Sequence, residues 1–276
     1  MKRKNILFLS AATLAIIGAG AIIFNTATEK AMAAGFEQTQ SIPVSYRVPS
    51  MAQAALPGAG AEQESRKKAD YHVSMDDLNT DSPTDTDLTM EEAADVGMQY
   101  LETLFGLEPE GAYVYMGYTS GTETFPRAFW FGDVLFEKEQ TPESTRWTYM
   151  IDAVTGELFN ASYGRMLDAS PSLALDPALE NNYEVYANLA REYVQRCALM
   201  ESPVAAVEYN CQGYNGNDPT ITVDVVGENG EVVNMSYSRY DHEFLGLITD
   251  TSLRISESAM GDLAGEAVSE SFTQAK

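Results

Sequence analysis

The stretch Ile151-Asp-Ala-Val-Thr-Gly-Glu-Leu158 decides the fold, because it reads as a tight turn between two strands. The Asp152 side chain can accept hydrogen bonds from the turn backbone, and Gly156 allows the positive φ that closes a type I turn in register. Apolar residues alternate on both sides of the turn: Trp147, Tyr149, Ile151, Phe159, Ala161 and Tyr163. Such alternation is typical of strands with one buried face. We therefore predict a β-hairpin in which Asp152 and Gly156 are structural turn residues.

An amphipathic helix is predicted upstream of this hairpin. Thr89 stands where an N-cap is expected, and Glu92 follows three residues later as its partner in a capping box. Apolar or small residues then recur at helical spacing: Ala93, Val96, Gly97, Tyr100, Leu101 and Leu104. Gly106 can adopt the left-handed conformation that ends a helix. Three strands are predicted between the helix and the turn, near residues 112–119, 127–136 and 145–153.

The order of capped helix, strands and Asp-Ala-x-Thr-Gly-Glu turn over about residues 87–165 resembles a PepSY-type module. Such modules are common in extracytoplasmic bacterial proteins. The resemblance implies a non-catalytic role, in which the module holds, inhibits or regulates a peptidase or another protein of the cell envelope. It implies no catalytic and no cofactor-binding residue, because the matching positions are structural.

The second half of the chain repeats this element order without repeating the turn motif. One face of the segment from Glu180 to Met200 is apolar, which predicts another helix. Strands are predicted near residues 204–212, 219–227, 231–239 and 243–249, with Glu228-Asn-Gly-Glu231 as a tight hairpin turn. We expect an α+β fold with two helix-plus-antiparallel-sheet modules, at residues 87–168 and 176–250. A polar tail follows at residues 251–276.

The N-terminus carries an export or anchoring signal. Three basic residues, Lys2, Arg3 and Lys4, precede an uncharged apolar run at residues 6–24. Ala31-Met-Ala33 offers a cleavage site, so the run predicts either a cleaved signal peptide or a retained membrane anchor. Both alternatives place the residues after Ala33 outside the cytoplasm. Residues 34–86 lack sustained periodicity and indicate a flexible acidic linker.

The composition is strongly acidic, with a formal net charge of −24 over 276 residues. Residues 1–33 contribute +3, from Lys2, Arg3, Lys4, Lys30 and Glu29, so the part after the signal carries −27. Nucleic acids and anionic lipid surfaces bind proteins through basic side chains, so both are poor partners for this chain. An envelope peptidase, or a basic protein or peptide, is a better expected partner. The acidity alternatively serves only to keep an exported protein soluble.

The two cysteines, Cys197 and Cys211, leave two alternatives open. Cys197 lies on the apolar helix face, and Cys211 lies on the same side of its strand as Val207 and Tyr209, so the two thiols could approach each other. A disulfide between them is permitted outside the cytoplasm. Otherwise both are buried reduced thiols that pack as small apolar side chains.

No metal or cofactor site is predicted. The acidic run of Asp76, Asp77, Asp81, Asp85 and Asp87 could suggest calcium, but it lacks the glycine and final glutamate of an EF-hand loop. A solvated linker explains the run better. The two histidines, His72 and His242, show no zinc-ligand spacing.

An aromatic set on the predicted strands is the remaining candidate for binding: Tyr113, Tyr115, Tyr118, Phe129, Trp130, Phe131, Phe136, Trp147 and Tyr149. These side chains could form an exposed sugar- or peptide-binding surface, or they could pack against the second module. The sequence therefore favours a non-catalytic extracytoplasmic binding or regulatory protein. The alternatives are a cell-wall hydrolase that uses unidentified carboxylates, and a ligand-sensing or adhesive ectodomain.

Overall fold

The computed structural model describes residues 70–76, 81–138, 141 and 143–259. Nine strands lie in this part of the chain: β1 His72–Met75, β2 Tyr113–Thr119, β3 Phe129–Leu135, β4 Arg146–Asp152, β5 Leu158–Gly164, β6 Val204–Asn215, β7 Asp218–Gly227, β8 Val232–Ser238 and β9 Phe244–Ile248. Helix α1 spans Met90–Phe105, and α2 spans Glu184–Cys197. Residues 250–259 are also helical and are called α3. A short 3-10 helix, Pro177–Glu180, precedes α2.

The prediction of two helix-plus-sheet modules is wrong. All nine strands belong to one mixed sheet, in the order β1-β2-β3-β4-β5-β9-β8-β7-β6. The last strands of the two predicted modules, β5 and β9, pair with each other in antiparallel fashion. The molecule is therefore mostly β, with the helices packed on a single continuous sheet.

Small residues allow the backbones of β5 and β9 to approach each other closely. Ala161 pairs with Leu247, and Ser162 pairs with Gly246. A Cβ atom on Gly246 would lie only 2.5 Å from the carbonyl oxygen of Ala161, closer than atoms can approach. This junction also satisfies the backbone of β5 and β9, which would otherwise end two separate sheets as unpaired edges.

Helix α1 confirms the predicted capping box and C-terminal glycine. The backbone N–H of Glu92 donates to Oγ1 of Thr89 at 3.3 Å, and the backbone N–H of Thr89 donates to Oε2 of Glu92 at 2.9 Å. Gly106 has φ of 65° and ends the helix. The local sequence therefore determines both ends of α1, because capping groups satisfy backbone donors that the helix leaves free.

Helices α1 and α2 share one hydrophobic core on the same face of the sheet. Phe105 at the end of α1 stacks on Phe244 of β9, with ring centroids 5.2 Å apart. Tyr193 of α2 contacts the same Phe244 ring at 4.0 Å. The Cys197 thiol donates to the carbonyl oxygen of Thr103 at 3.8 Å. The two halves therefore pack as one unit.

A smaller apolar cluster lies on the opposite face. Phe125, Phe129 and Phe159 form it, and Ile255 of α3 packs against it. Phe129 alternates along β3 with Trp130, which belongs to the main core, so the two clusters lie on opposite sides of the sheet. Helix α3 therefore covers part of the face that α1 and α2 leave open.

Strand β1 lies inside the stretch that the sequence indicated as linker. It pairs in parallel with β2, and the backbone N–H of Asp76 donates to the carbonyl oxygen of Met116 at 2.7 Å. The predicted apolar segment at residues 6–24, the cleavage site at residues 31–33 and most of the linker lie outside the described residues. Among the helices that the structure describes, none is both long and apolar enough to span a membrane.

Candidate functional site

The structure places the turn residues Asp152 and Gly156 at the tip of the β4–β5 hairpin. Oδ1 of Asp152 accepts from the backbone N–H groups of Val154 at 3.0 Å and Thr155 at 2.7 Å. Gly156 has φ of 72°, and its N–H donates to the carbonyl oxygen of Asp152. Asp152 is 2% exposed, and its Oδ2 lies 2.5 Å from Nε of Arg127. This carboxylate is therefore held by the turn and by one arginine, as expected of a structural group.

Four of the nine side chains in the aromatic set are buried. Trp130, Tyr149, Tyr118 and Phe129 are 0%, 1%, 3% and 6% exposed. The indole N–H of Trp130 donates to the carbonyl oxygen of Leu88 at 2.9 Å. Phe136 is the most exposed member, at 44%. Tyr113, Tyr115, Phe131 and Trp147 are half-buried, so the set is divided between the interior and the surface.

Cys197 and Cys211 are both free, and they lie on opposite faces of the sheet. Val207 and Tyr209 pair with Val225 and Val223 on the face that α2 covers, but a β-bulge after Tyr209 shifts the register. Cys211 consequently pairs with Thr222, whose hydroxyl lies 2.8 Å from that of Ser236 on the opposite face. The disulfide considered above is not formed, because a bulge reverses the side to which the following residues point.

Two aspartates of the acidic run, Asp81 and Asp87, accept hydrogen bonds from the loop or strand around residues 118–120. Oδ2 of Asp81 accepts from the backbone N–H and the hydroxyl of Ser120, both at 2.9 Å. Oδ2 of Asp87 accepts from Thr84 and from the hydroxyl of Tyr118. Asp77 lies outside the described residues. In the described ranges, no three acidic, histidine or cysteine residues form a group suited to a metal ion.

The histidines lie far apart in the sheet order. His72 of β1 stacks on Tyr113, with ring centroids 5.1 Å apart. His242 follows β8 in a left-handed conformation, with φ of 68°, and contacts the edge of Tyr186. Each therefore packs against a tyrosine at a different part of the sheet.

Two partly buried carboxylates, those of Asp133 and Asp224, have raised pKa values. Burial raises the pKa of Asp133 on β3, against the lowering effect of Arg146. Burial likewise raises the pKa of Asp224 on β7, although Asn234 and Asn210 donate to its carboxylate, each at 2.8 Å. Five strand spacings separate β3 from β7, or about 24 Å. Hydrolytic carboxylate pairs lie about 5–9.5 Å apart, so these two do not form one.

The outer edge of β6 is the candidate interaction site. This strand is 12 residues long and ends the sheet, and no described strand pairs with its outer side. Edge strands present unpaired backbone donors and acceptors that can bind an added strand. Proteins commonly protect such edges with lysine or proline, but β6 contains neither. Its two β-bulges, between Val204 and Ala206 and between Tyr209 and Cys211, divide the edge into short segments.

Strand β1 forms the opposite edge of the sheet. Only four residues form β1, and three of them are exposed. Tyr71, which precedes β1, and Val73 are the apolar groups that pack on the main core from this segment. A short extended segment therefore adds in parallel to β2 with little burial. Strand β1 was not predicted, because its four residues alternate too weakly between polar and apolar side chains.

Two exposed carboxylates lie at the β6 edge, Glu208 on the strand and Glu201 just before it. Burial raises the pKa of Tyr209 on this strand; the charge of Glu180 adds to the effect, and the charge of Arg239 opposes it. Lys138 is the only lysine between residues 69 and 275, and it follows β3 in the other half of the sheet. The exposed carboxylates Glu201 and Glu208 favour a basic segment along this edge.

Comparisons with known proteins give one distant structural similarity. No protein-family model matches the chain, and no curated protein matches it. The chain is similar to the Bacillus megaterium YpeB C-terminal domain, with 12% sequence identity and a TM-score of 0.37. The similar region covers 60% of this chain and spans 65% of the length of that domain. A likeness at this level supports no inference about function.

Proposed function

We propose that this protein is a non-catalytic binding or regulatory protein that works outside the cytoplasm of a bacterium. In this proposal it captures an extended, basic segment of an envelope protein, such as a peptidase, along the outer edge of β6. The observation that carries it is a 12-residue edge strand whose outer side pairs with no described strand. Main-chain hydrogen bonds supply the affinity in this mode of recognition.

The PepSY-like order of the first helix and four strands agrees with this proposal, since such modules hold or regulate peptidases. The strand β1 supports the same mode of binding, because it shows an extended segment added to the other edge of this sheet. The net charge of −24 would attract a basic partner at low ionic strength.

The cellular location is part of the proposal. The basic flank and the apolar run at residues 6–24 would direct the chain across the membrane, either anchored there or released after cleavage near Ala33. Protease added to intact protoplasts should digest the region after residue 35 of an anchored chain. Full protection of that region would contradict the extracytoplasmic location.

The edge is tested by capturing partners from an envelope extract. Tyr214 is 63% exposed and pairs with Pro219, whose carbonyl oxygen accepts from the backbone N–H of Arg239 on the β8 side. The Tyr214 backbone therefore faces the outer edge, and proline at position 214 removes a donor from this edge without breaking a hydrogen bond to β7. We expect Tyr214→Pro and Glu208→Lys each to lose a salt-sensitive, stoichiometric partner that the unaltered protein retains.

The matched control is Glu91→Lys, the same charge change at an exposed position on α1. Capture that survives both β6 variants, or that is lost equally in the control, would contradict binding along β6. Purified protein is incubated in parallel with peptidoglycan and casein. Turnover that disappears on replacement of one aspartate or glutamate would replace this proposal with an enzyme.

A further inference from the structure

A cleft of about 360 Å³ opens between the end of β8 and the segment before α2. Pro171, Leu179 and Pro219 contribute apolar groups, Tyr186 and Tyr240 contribute aromatic rings, and Ser172, Asp176 and Arg239 contribute the polar and charged groups. This volume lies within the range of about 300–1,000 Å³ usual for small-molecule sites. The cleft lies at one end of the sheet, on the face that the helices cover. It does not include the outer edge of β6.

Only some of the N–H groups of the Arg239 guanidinium form hydrogen bonds. Nη1 donates to the carbonyl oxygen of Ala174 at 3.1 Å and to Oε1 of Gln212 at 2.9 Å. The backbone N–H of Arg239 donates to the carbonyl oxygen of Pro219 at 2.6 Å. Nε and Nη2 are buried and make no hydrogen bond to any described residue. These two donors form the side of the guanidinium that binds a carboxylate in bidentate fashion.

Gln212 holds both charged residues of the cleft in position. Its Oε1 accepts from the backbone N–H of Asp176 at 3.0 Å as well as from Arg239. Its Nε2 donates to the carbonyl oxygen of Asp176 at 2.8 Å and to the hydroxyl of Tyr209 at 3.3 Å. Arg239 and Asp176 are therefore organised around one amide before any ligand binds, which lowers the entropy lost on binding.

Asp176 and Arg239 line the same cleft, but no ion pair joins them in the described part of the chain. Oδ1 of Asp176 accepts from the backbone N–H of Ala178 at 2.9 Å and caps the 3-10 helix. A cleft with a separate cation and anion is complementary to a ligand that carries both charges. The apolar walls are complementary to an aliphatic or aromatic side chain between them.

We propose that this cleft binds a free apolar α-amino acid, with its carboxylate on Nε and Nη2 of Arg239 and its ammonium group facing Asp176. Both N–H donors are shielded from solvent, so binding requires the side chains that cover them to move. The bound carboxylate then satisfies two buried donors that otherwise have no acceptor. This site is independent of the proposed β6 interaction.

The test is calorimetric titration of the full-length protein with L-phenylalanine and L-leucine. N-acetyl-L-phenylalanine lacks the ammonium charge, and L-phenylalaninamide lacks the carboxylate. We expect saturable binding of the free amino acids, with affinity at least about tenfold lower for each derivative, because each leaves one charged group of the site unpaired. Equal affinity for either derivative, or no saturable binding of the free amino acids, would overturn the proposal.

Two conservative variants separate recognition from folding. Arg239→Lys keeps the positive charge but loses the bidentate geometry, and Asp176→Asn keeps a helix-capping side chain but loses the negative charge. Both should weaken binding of L-phenylalanine by about tenfold or more, with an unfolding midpoint near that of the unaltered protein. Arg191→Gln, which removes a charge on α2 outside the cleft, is the control and should bind normally. Unchanged affinity of Arg239→Lys would also overturn the proposal.

Discussion

Gly97 of α1 and the Tyr149 ring of β4 interlock, so that a Cβ atom on Gly97 would lie 2.0 Å from Cε2 of that ring. Gly132 of β3 flanks the same ring, and a Cβ there would lie 2.3 Å from its Cζ. The hydroxyl of Tyr149 donates to Sδ of Met116 at 3.0 Å. The ring is enclosed on these sides, so the two glycines determine how closely α1 approaches the sheet.

We expect Gly97→Ala to lower the free energy of unfolding by about 2 kcal/mol, because overpacking outweighs the roughly 1 kcal/mol gain in helix propensity. Urea unfolding measures the change, and Gln99→Ala at an exposed position of the same helix serves as the control. In a Tyr149→Leu background the cost of Gly97→Ala should shrink. An undiminished cost in that background would show that the Tyr149 contact is not the cause.

Arg165 is expected to be the most important ion-pairing residue for stability in this region. Its Nε lies 2.9 Å from Oδ2 of Asp218, which is 1% exposed, and its Nη2 lies 2.7 Å from Oδ1 of Asp241. The hydroxyl of Ser238 donates to the other oxygen of Asp218 at 2.5 Å. Arg165→Gln would leave the Asp218 charge buried without its cation.

We expect Arg165→Gln to cost about 3–5 kcal/mol, as does removal of one partner from a buried pair. Asp241→Asn should cost about 1 kcal/mol or less, because that carboxylate is partly exposed and screened by solvent. Denaturant titration of both variants measures the difference. If both variants lower the free energy of unfolding equally, the buried Arg165–Asp218 pair is not the main source of this stability.

Asp224 should make stability depend on pH in the opposite direction from a salt-bridged carboxylate. Burial raises its pKa above the ordinary value of 3.8. The folded protein therefore holds this proton more tightly than the unfolded chain does. The protonated Asp224 carboxyl group therefore contributes stability below pH 3.8. This contribution is lost as the pH rises from 3.8 through the higher pKa of the folded state.

Asp224→Asn removes the partly buried charge and keeps the shape of the side chain. One neighbouring amide can rotate so that its oxygen accepts from the new Asn, since the oxygens of Asn210 and Asn234 have no described partner. We expect Asp224→Asn to melt at a higher temperature than the unaltered protein at pH 8, with a smaller difference at pH 4. Destabilisation at pH 8 equal to that of Asp224→Ala would contradict this account.

The two thiols are expected to differ in reactivity. Cys211 is buried, and burial raises the pKa of its thiol to about 11. Cys197 is only partly buried, at the end of α2. Ellman's reagent at pH 8 should therefore modify one thiol of the folded protein rapidly, and both thiols in urea. Cys197→Ser should abolish the rapid phase, whereas Cys211→Ser should leave it intact. If the unfolded, unreduced protein contains no free thiol, the two cysteines form a disulfide and this prediction is wrong.

Local features of the fold were predictable because they depend on neighbours in sequence. Thr89 and Glu92 form their capping box within one helical turn, and the alternation around Trp147 and Tyr149 places their side chains in the core. The two bulges in β6 were not predictable, since a bulge has no distinctive residue type here. One bulge was enough to move Cys211 to the face opposite Cys197.

The candidate sites depend on contacts between distant parts of the chain. Arg239 follows β8, Gln212 lies in β6 and Asp176 precedes α2, so no sequence motif joins the three. The free edge of β6 could not be predicted either, because a strand is an edge only with respect to the whole sheet order. The sequence therefore indicated no residue of the amino-acid cleft.

By itself, the sequence determined the two main helices, the eight longer strands and the hairpin turn at Asp152 and Gly156, because periodicity and capping act within a few residues. Only the tertiary structure decided that β5 pairs with β9, so that two expected modules form one sheet. Strand pairing across such separations is chosen by backbone hydrogen bonds and close packing, as at Ala161 and Gly246. Those interactions exist only after the chain has folded.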